Sequence, residues 1–196
     1  MARDFAPAAE RNKVAIRDVL AEVLPASGLV LEIACGTGQH AAFFGASFPA
    51  LTWQPTDLEP NAAGVRECCQ AAGVDNVLDA IRLDAALVAW PVERADAIVN
   101  INMIHIAPWA ACLGLLAGAG RVLPAGAPLV LYGPYRVDGA FNAPSNASFD
   151  QSLRRMDPAW GVRELRDVEA EAAAHGLSLE RIVDMPANNY SVVFRK

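Results

Sequence analysis

A chain of 196 residues is long enough to bury the core of one domain, and 54% hydrophobic against 19% charged residues excludes a disordered chain. A net charge of -6, with Arg and Lys scattered, argues against a nucleic-acid surface and leaves a small molecule as the expected partner. Cys35, Cys68, Cys69 and Cys112 form no C-x-x-C pair, the start MARDFAPAAERNK lacks a signal-peptide core, and no apolar run approaches ~18 residues; no metal, no membrane span and a reduced, cytoplasmic protein are expected.

In chain order, Val14, Ile16, Val19, Leu20, Val23 and Leu24 recur among charges and predict an amphipathic helix over Ala8 to Leu24, ended by Pro25 and Gly28. Leu29 to Ala34 is a strand, and Thr37 to Ser47 a helix. Leu51 to Thr56 is a second strand ending at Asp57. Pro60 to Ala72 is a helix stopped by Gly73, and Val77 to Leu83 a third strand ending at Asp84. Ala95 to Ile101 is a fourth strand, Pro108 to Gly120 a helix and Pro128 to Tyr132 a fifth strand. This alternation marks an α/β chain with a doubly wound, mostly parallel sheet between two helical layers. Ligands bind such sheets at the carboxyl ends of the strands.

After Tyr132 the pattern changes. GPYRVDGAFNAPSNASFD is rich in Gly, Pro, Asn and Ser, and residues 133–160 are expected to be a long lid or substrate loop. Val162 to His175 is a last helix, stopped by Gly176. Leu177 to Met185 and Tyr190 to Phe194, joined by PANN, predict a closing antiparallel hairpin. The whole chain, 1–196, reads as one domain opened by an N-terminal helical segment, 1–28.

The stretch VLEIACGTGQHA, Val30 to Ala41, decides which cofactor. Gly36, Gly38 and Ala41 spell G-x-G-x-x-A between strand and helix, and Asp57 follows at dinucleotide spacing, so a nicotinamide oxidoreductase is one reading. Glu32 points elsewhere. A carboxylate ahead of the glycines can hold the loop by its amides and face a cationic ligand; S-adenosylmethionine carries an ammonium and a sulfonium, whereas a pyrophosphate gains nothing from an acid. Asp57 suits the ribose hydroxyls and Asp84 the adenine amino group.

The segment E-x-A-C-G-T-G at Glu32 to Gly38 resembles the first motif of class I methyltransferases, which also close a parallel sheet with an antiparallel hairpin. ERNK (10–13), GTGQH (36–40), NMIHIAPW (102–109), YGPY (132–135), SNASFD (145–150), DPAWGVR (157–163) and MPANN (185–189) together resemble the methyltransferase-like family known as domain of unknown function 938, over nearly the whole chain. Cys35 stands where that resemblance leads one to expect Ser. It implies a Rossmann-like fold of seven strands and S-adenosylmethionine as cofactor, and leaves the methyl acceptor open. A non-catalytic cofactor-binding or regulatory protein on the same fold is the other alternative.

Within this reading Ala34, Gly36 and Gly38 bring backbone close to the methionine part of the cofactor. The resemblance implies that the N-terminal segment, 1–28, covers the cofactor, with Arg11 a partner for its carboxylate. Asn100 and Asn102, at i and i+2, share a strand face if the strand runs that far, and need hydrogen-bond partners, for which the amino-acid end of the cofactor is the candidate. Met103 packs on the adenine or fills core, and His40 braces the cofactor loop. His105, after the fourth strand, is the candidate catalytic base. Tyr135, Ser145, Asn146, Asn188 and Asn189 are candidates to orient a substrate. Monomer and homodimer are both open.

Overall fold

The computed structural model describes residues 6–196; the first five residues of the expected N-terminal segment lie outside it. In chain order the elements are α1 (Pro7–Val23), β1 (Gly28–Ile33), α2 (Gln39–Ser47), β2 (Leu51–Asp57), α3 (Ala62–Ala72), β3 (Ile81–Arg82) and β4 (Ala97–Ile101). A 3-10 turn (Met103–His105), α4 (Trp109–Val122), β5 (Pro128–Gly133), β6 (Tyr135–Val137), β7 (Ala140–Phe141) and α5 (Pro144–Met156) follow. The chain ends with β8 (Arg163–Glu164), α6 (Leu165–Ala174), β9 (Ser178–Met185), a second 3-10 turn (Pro186–Asn188) and β10 (Asn189–Arg195).

Seven strands form one sheet in the order β3-β2-β1-β4-β5-β10-β9. β1, β2, β3, β4 and β5 pair in parallel, and β10 runs antiparallel between β5 and β9. The doubly wound sheet with its closing hairpin is therefore as the sequence predicts. Strand alternation separates two cores. Leu31, Ile33, Ile98, Leu129 and Leu131 pack with Leu115, Leu116 and Val168 on the α4/α6 face. Val30, Val99, Val130 and Trp53 pack with Ile16, Leu20 and Phe44 on the α1/α2 face. Among the described residues no helix is long and apolar enough to cross a membrane.

The third strand is shorter than its apolar run suggests. Only Ile81 and Arg82 join β2, with one bridge at Val77. Trp53 and Asp57 bond toward this edge: Trp53 N–H donates to Asn76 O, Leu78 N–H to Trp53 O and Leu83 N–H to Asp57 O. Pro55, two residues from each, has no N–H to offer the same side. The Gln54 amide fills the gap by donating to Pro55 O at 3.0 Å and Asp79 O at 2.9 Å.

Residues 133–160 are not the irregular loop that their composition suggests. They contain β6, β7 and α5, and β6 pairs with β7 and β8 in a small second sheet. Helix α5 escapes an apolar-periodicity reading because its buried stripe is Asn146, Asp150 and Leu153. Asp150 accepts from Arg154 Nε at 2.8 Å and from Val162 N–H at 2.8 Å, which makes its burial tolerable.

Candidate functional site

After β1 the chain turns through three left-handed residues, Ala34 (φ 62°), Gly36 (φ 53°) and Gly38 (φ 78°). The two glycines serve different ends. A Cβ at Gly38 would stand 2.7 Å from Val65 Cγ2 and 2.9 Å from its Cα, so this glycine lets α3 pack against the turn. A Cβ at Gly36 would meet nothing within 4 Å. Gly36 opens onto a cavity of about 480 Å³ at the carboxyl ends of the strands, walled by Ile33, Ala34, Leu58, Met103, Ile106 and Pro108.

Asp57 and Asp84 both line this cavity. Asp57 Oδ2 accepts the Gly36 N–H at 2.9 Å and Oδ1 accepts the Leu58 N–H at 2.7 Å, so the acid holds the glycine turn and leaves lone pairs free. Asp84 Oδ1 accepts the Ala86 N–H at 2.9 Å.

Glu32 differs from expectation. The loop amide goes to Asp57, because alternation along β1 turns Glu32 to the α1/α2 face. There its carboxylate is buried and accepts the Trp53 indole N–H at 2.7 Å. Burial raises its pKa to about 7, the Trp53 bond opposes the rise, and the charge of Asp57 adds to it. Asn100 and Asn102 also part company: β4 ends at Ile101, and Asn102 is left-handed (φ 64°). Asn100 is buried in β4 and donates to Ile33 O at 2.9 Å, while its Oδ1 has no partner among the described residues.

A second cavity, of about 940 Å³, adjoins the first, with Ile106 on the wall of both. Arg11 and Asn12 of α1, Asn102, Tyr132 at the end of β5, and Ser145, Asn146 and Phe149 of α5 line it. Its last wall is the hairpin turn, where Ala187 (φ 58°) and Asn188 (φ 59°) are left-handed. Asn146 Nδ2 ties α5 to that turn by donating to Asn188 O at 2.8 Å and also to Asn142 Oδ1 at 2.7 Å. Arg11, expected at the methionine carboxylate, stands on this second wall.

His40 lines neither cavity. Its Nε2 is 2.8 Å from Asn12 Oδ1 and its ring stacks on Phe44 at 5.5 Å, which fastens α1 to α2. Burial, with Lys13 nearby, lowers its pKa to about 4. Asn12 in turn faces Tyr132, whose hydroxyl it shares with Asn189; burial raises the Tyr132 pKa and these amides oppose the rise.

His105 and Tyr135, the candidate base and a candidate substrate residue, are both wholly buried and line neither cavity. Their rings meet edge to face at 5.1 Å. His105 Nδ1 accepts the Arg163 N–H at 3.4 Å. Burial first, then the Arg163 charge, lowers the His105 pKa to about 3, which leaves it neutral. Gly133 allows the ring to sit there, since a Cβ at that position would be 2.4 Å from Nε2.

Tyr132, Ile106, Phe149 and Leu58 are wall residues that the sequence reading did not single out. Tyr132 carries a usable signal, as the last side chain of a strand whose carboxyl end faces the site. Ile106 and Phe149 carry none, because an apolar residue in a loop or on a polar helix does not announce a cavity. Among the described residues no group of three or more His, Cys, Asp or Glu side chains is placed to hold a metal ion.

The strand order, the reversed hairpin and the glycine turn over the strand ends define a Rossmann-like methyltransferase fold. A putative O-methyltransferase from Nostoc punctiforme PCC 73102 superposes over 96% of this chain and 56% of its own, with TM-score 0.81 and 18% identity. An O-methyltransferase family 2 protein from Planctomyces limnophilus DSM 3776, in complex with apigenin, covers 94% of this chain and 61% of its own (TM-score 0.77, 18% identity). CalO1, a methyltransferase in calicheamicin biosynthesis in its SAH-bound form, covers 92% and 53% (TM-score 0.74, 20% identity). The chain thus spans little more than half the length of these proteins, and at such identities the likeness is one of fold. The sequence itself belongs to the family described as protein of unknown function (DUF938), whose profile matches residues 3–196.

Proposed function

We propose that this chain is an S-adenosylmethionine-dependent methyltransferase acting on a small molecule. The observation that carries the reading is the 480 Å³ cavity, where the open side of Gly36 and the carboxylates of Asp57 and Asp84 meet an apolar slot and a second cavity adjoins at Ile106. The donor set fits the cofactor. Asp57 retains acceptor capacity for ribose hydroxyls, and Asp84 for the adenine amino group. Leu58, Met103 and Pro108 offer flat apolar surface to a base. Ala34 and Gly36 allow close backbone approach, and Asn100, on the neighbouring strand, holds a buried amide oxygen without a partner among the described residues. SAH in the CalO1 structure supports the same cofactor.

When bound, the cofactor supplies a methyl carbon already activated by its sulfonium. The residues of the chain then have chiefly to position the acceptor, which is worth on the order of 7 to 11 kcal/mol in ideal cases. Ser145, Asn146 and Asn188 are placed to do so from the second wall, and apigenin in the Planctomyces structure supports a small-molecule acceptor. His105 and Tyr135 are assigned to supporting that wall from behind.

Calorimetric titration with S-adenosylhomocysteine, beside NAD and NADP, tests the reading. Micromolar binding of the first, lost in Gly36→Arg and weakened in Asp57→Ala, is expected. Binding of a nicotinamide nucleotide instead would overturn it.

A further inference from the structure

We propose that the 940 Å³ cavity takes an acceptor that is itself an acid and binds as its anion opposite Arg11, so that the acceptor's own acidity readies it for methylation. The inference rests on the methyltransferase reading of the adjoining cavity.

The wall is unevenly charged. Arg11 stands on it and makes no ion pair among the described residues. No carboxylate among the described residues lines the same cavity. Glu10, one position away on α1, pairs with Lys13 at 2.5 Å and lines a different hollow. The amides of the wall are largely spent within it: Asn146 donates to Asn142 and Asn188, and Asn189 Nδ2 donates to Pro186 O at 3.1 Å. That leaves Arg11, the Asn102 and Asn188 amides and the Ser145 and Tyr132 hydroxyls among the donors, set against Ile106, Pro134 and Phe149. Arg11 is exposed and so stands at the rim of the cavity; a cation there, with neutral donors and an apolar lining, selects a small molecule with one anionic group on an apolar body.

Proton accounting agrees. Besides Arg11, Tyr132 is the titratable group on the described wall, and burial keeps it protonated at neutral pH. An ordinary alcohol would have no wall group to take its proton. An acidic phenol, carboxylic acid or thiol has already released its proton to water. In the step, a lone pair of that anion forms the new bond to the methyl carbon as the carbon–sulfur bond breaks. The sulfur keeps the bonding pair and becomes a neutral thioether, so no proton moves.

The test uses protein saturated with S-adenosylhomocysteine, titrated at slightly alkaline pH with 4-nitrophenol, as its anion, and with the neutral 4-nitrobenzyl alcohol. The anion is expected to bind roughly tenfold tighter, equivalent to ~1.4 kcal/mol. Arg11→Met should remove that preference and Arg11→Lys retain most of it, with S-adenosylhomocysteine affinity changed by less than about threefold in both. Equal binding of the two probes, binding of neither, or loss of S-adenosylhomocysteine affinity in Arg11→Met with anion binding intact would overturn the proposal. Failure of unsubstituted protein to bind S-adenosylhomocysteine is a separate result that removes the cofactor reading first.

Discussion

The Trp53 indole N–H donates to the Glu32 carboxylate at 2.7 Å, inside a layer where Trp53 is 0% and Glu32 2% exposed. The bond joins neighbouring strands, but it does not compensate the acid for lost water, and burial moves its pKa from 4.5 to about 7. The folded chain therefore holds this proton more tightly than the unfolded chain does. Below pH 4.5 both are protonated; as pH rises to about 7 the unfolded chain ionises first, and folding loses up to roughly 3 kcal/mol. His40 and His105 act in the opposite sense. Their pKa values fall from 6.5 to about 4 and about 3, so stability drops as pH falls below 6.5. Glu32 offsets part of that acid loss. Glu32→Gln should be more stable above pH 7 by roughly 2–3 kcal/mol and lose stability more steeply between pH 6.5 and 4.5. Urea denaturation across this range reads it directly, and a curve parallel to that of the unsubstituted protein would mean that Glu32 is ionised when folded.

The glycines of the turn separate architecture from ligand contact. Gly38→Ala places a methyl 2.9 Å from the Val65 backbone at φ 78°, and should cost roughly 2–4 kcal/mol through clash and left-handed strain together. Gly36→Ala has open space and bears chiefly the strain, about 1–2 kcal/mol. Its methyl would enter the 480 Å³ cavity. The expected pattern is a larger fall in Tm for Gly38→Ala and a larger fall in S-adenosylhomocysteine affinity, relative to the Tm change, for Gly36→Ala. The opposite ranking of Tm would contradict the packing assigned to Gly38.

These residues also show what the sequence makes legible. That Gly36, Asp57 and Asp84 stand together at the strand ends is legible from spacing, because a strand end followed by a turn leaves few places for them to go. The sheet and its hairpin follow from short apolar runs in regular alternation with helices. His105 and Tyr135 are buried away from both cavities, which the sequence does not reveal: proximity in sequence to a strand end fixes where the backbone is, not which way a ring turns. Once Gly133 admits the His105 ring beneath it, the side chain points into the core. Helix α5 is hidden because its inner face is polar, and β3 is cut short by a missing N–H on the neighbouring strand at Pro55.

Asn146 is the tie between α5 and the hairpin turn, bonded to Asn142 Oδ1 and to Asn188 O. Asn146→Ala removes both bonds from a buried position, for roughly 1–2 kcal/mol. Since Asn142 Nδ2 still reaches Asn188 O at 3.1 Å and Asn188 Nδ2 still reaches the Ser145 hydroxyl at 3.5 Å, the turn keeps two weaker bonds and the chain should remain folded. Hydrogen exchange is expected to quicken in 144–156 and at 186–189, with protection in β1, β4 and β5 unchanged. Uniformly faster exchange would show that the contact stabilises the whole chain and is not a local tie.

Arg163 governs the segment shared by the two cavities. Its Nε donates to Ile104 O at 2.7 Å and its Nη2 to Ala107 O at 2.5 Å, bracketing Ile106, while the guanidinium lies over the Trp109 ring at 5.5 Å. A planar fork can meet two carbonyls and an aromatic face at once; an ammonium at the end of a flexible stem cannot. Arg163→Lys should therefore cost roughly 1–3 kcal/mol despite keeping the charge. For a chain of this length that is a Tm fall of about 2–4 °C per kcal/mol. Arg163→Met should fall at least as far. Because Ile106, Ala107 and Pro108 wall the smaller cavity, both variants should also weaken S-adenosylhomocysteine. If Arg163→Lys melts and binds like the unsubstituted protein, the fork does not hold the wall, and the charge alone accounts for Arg163.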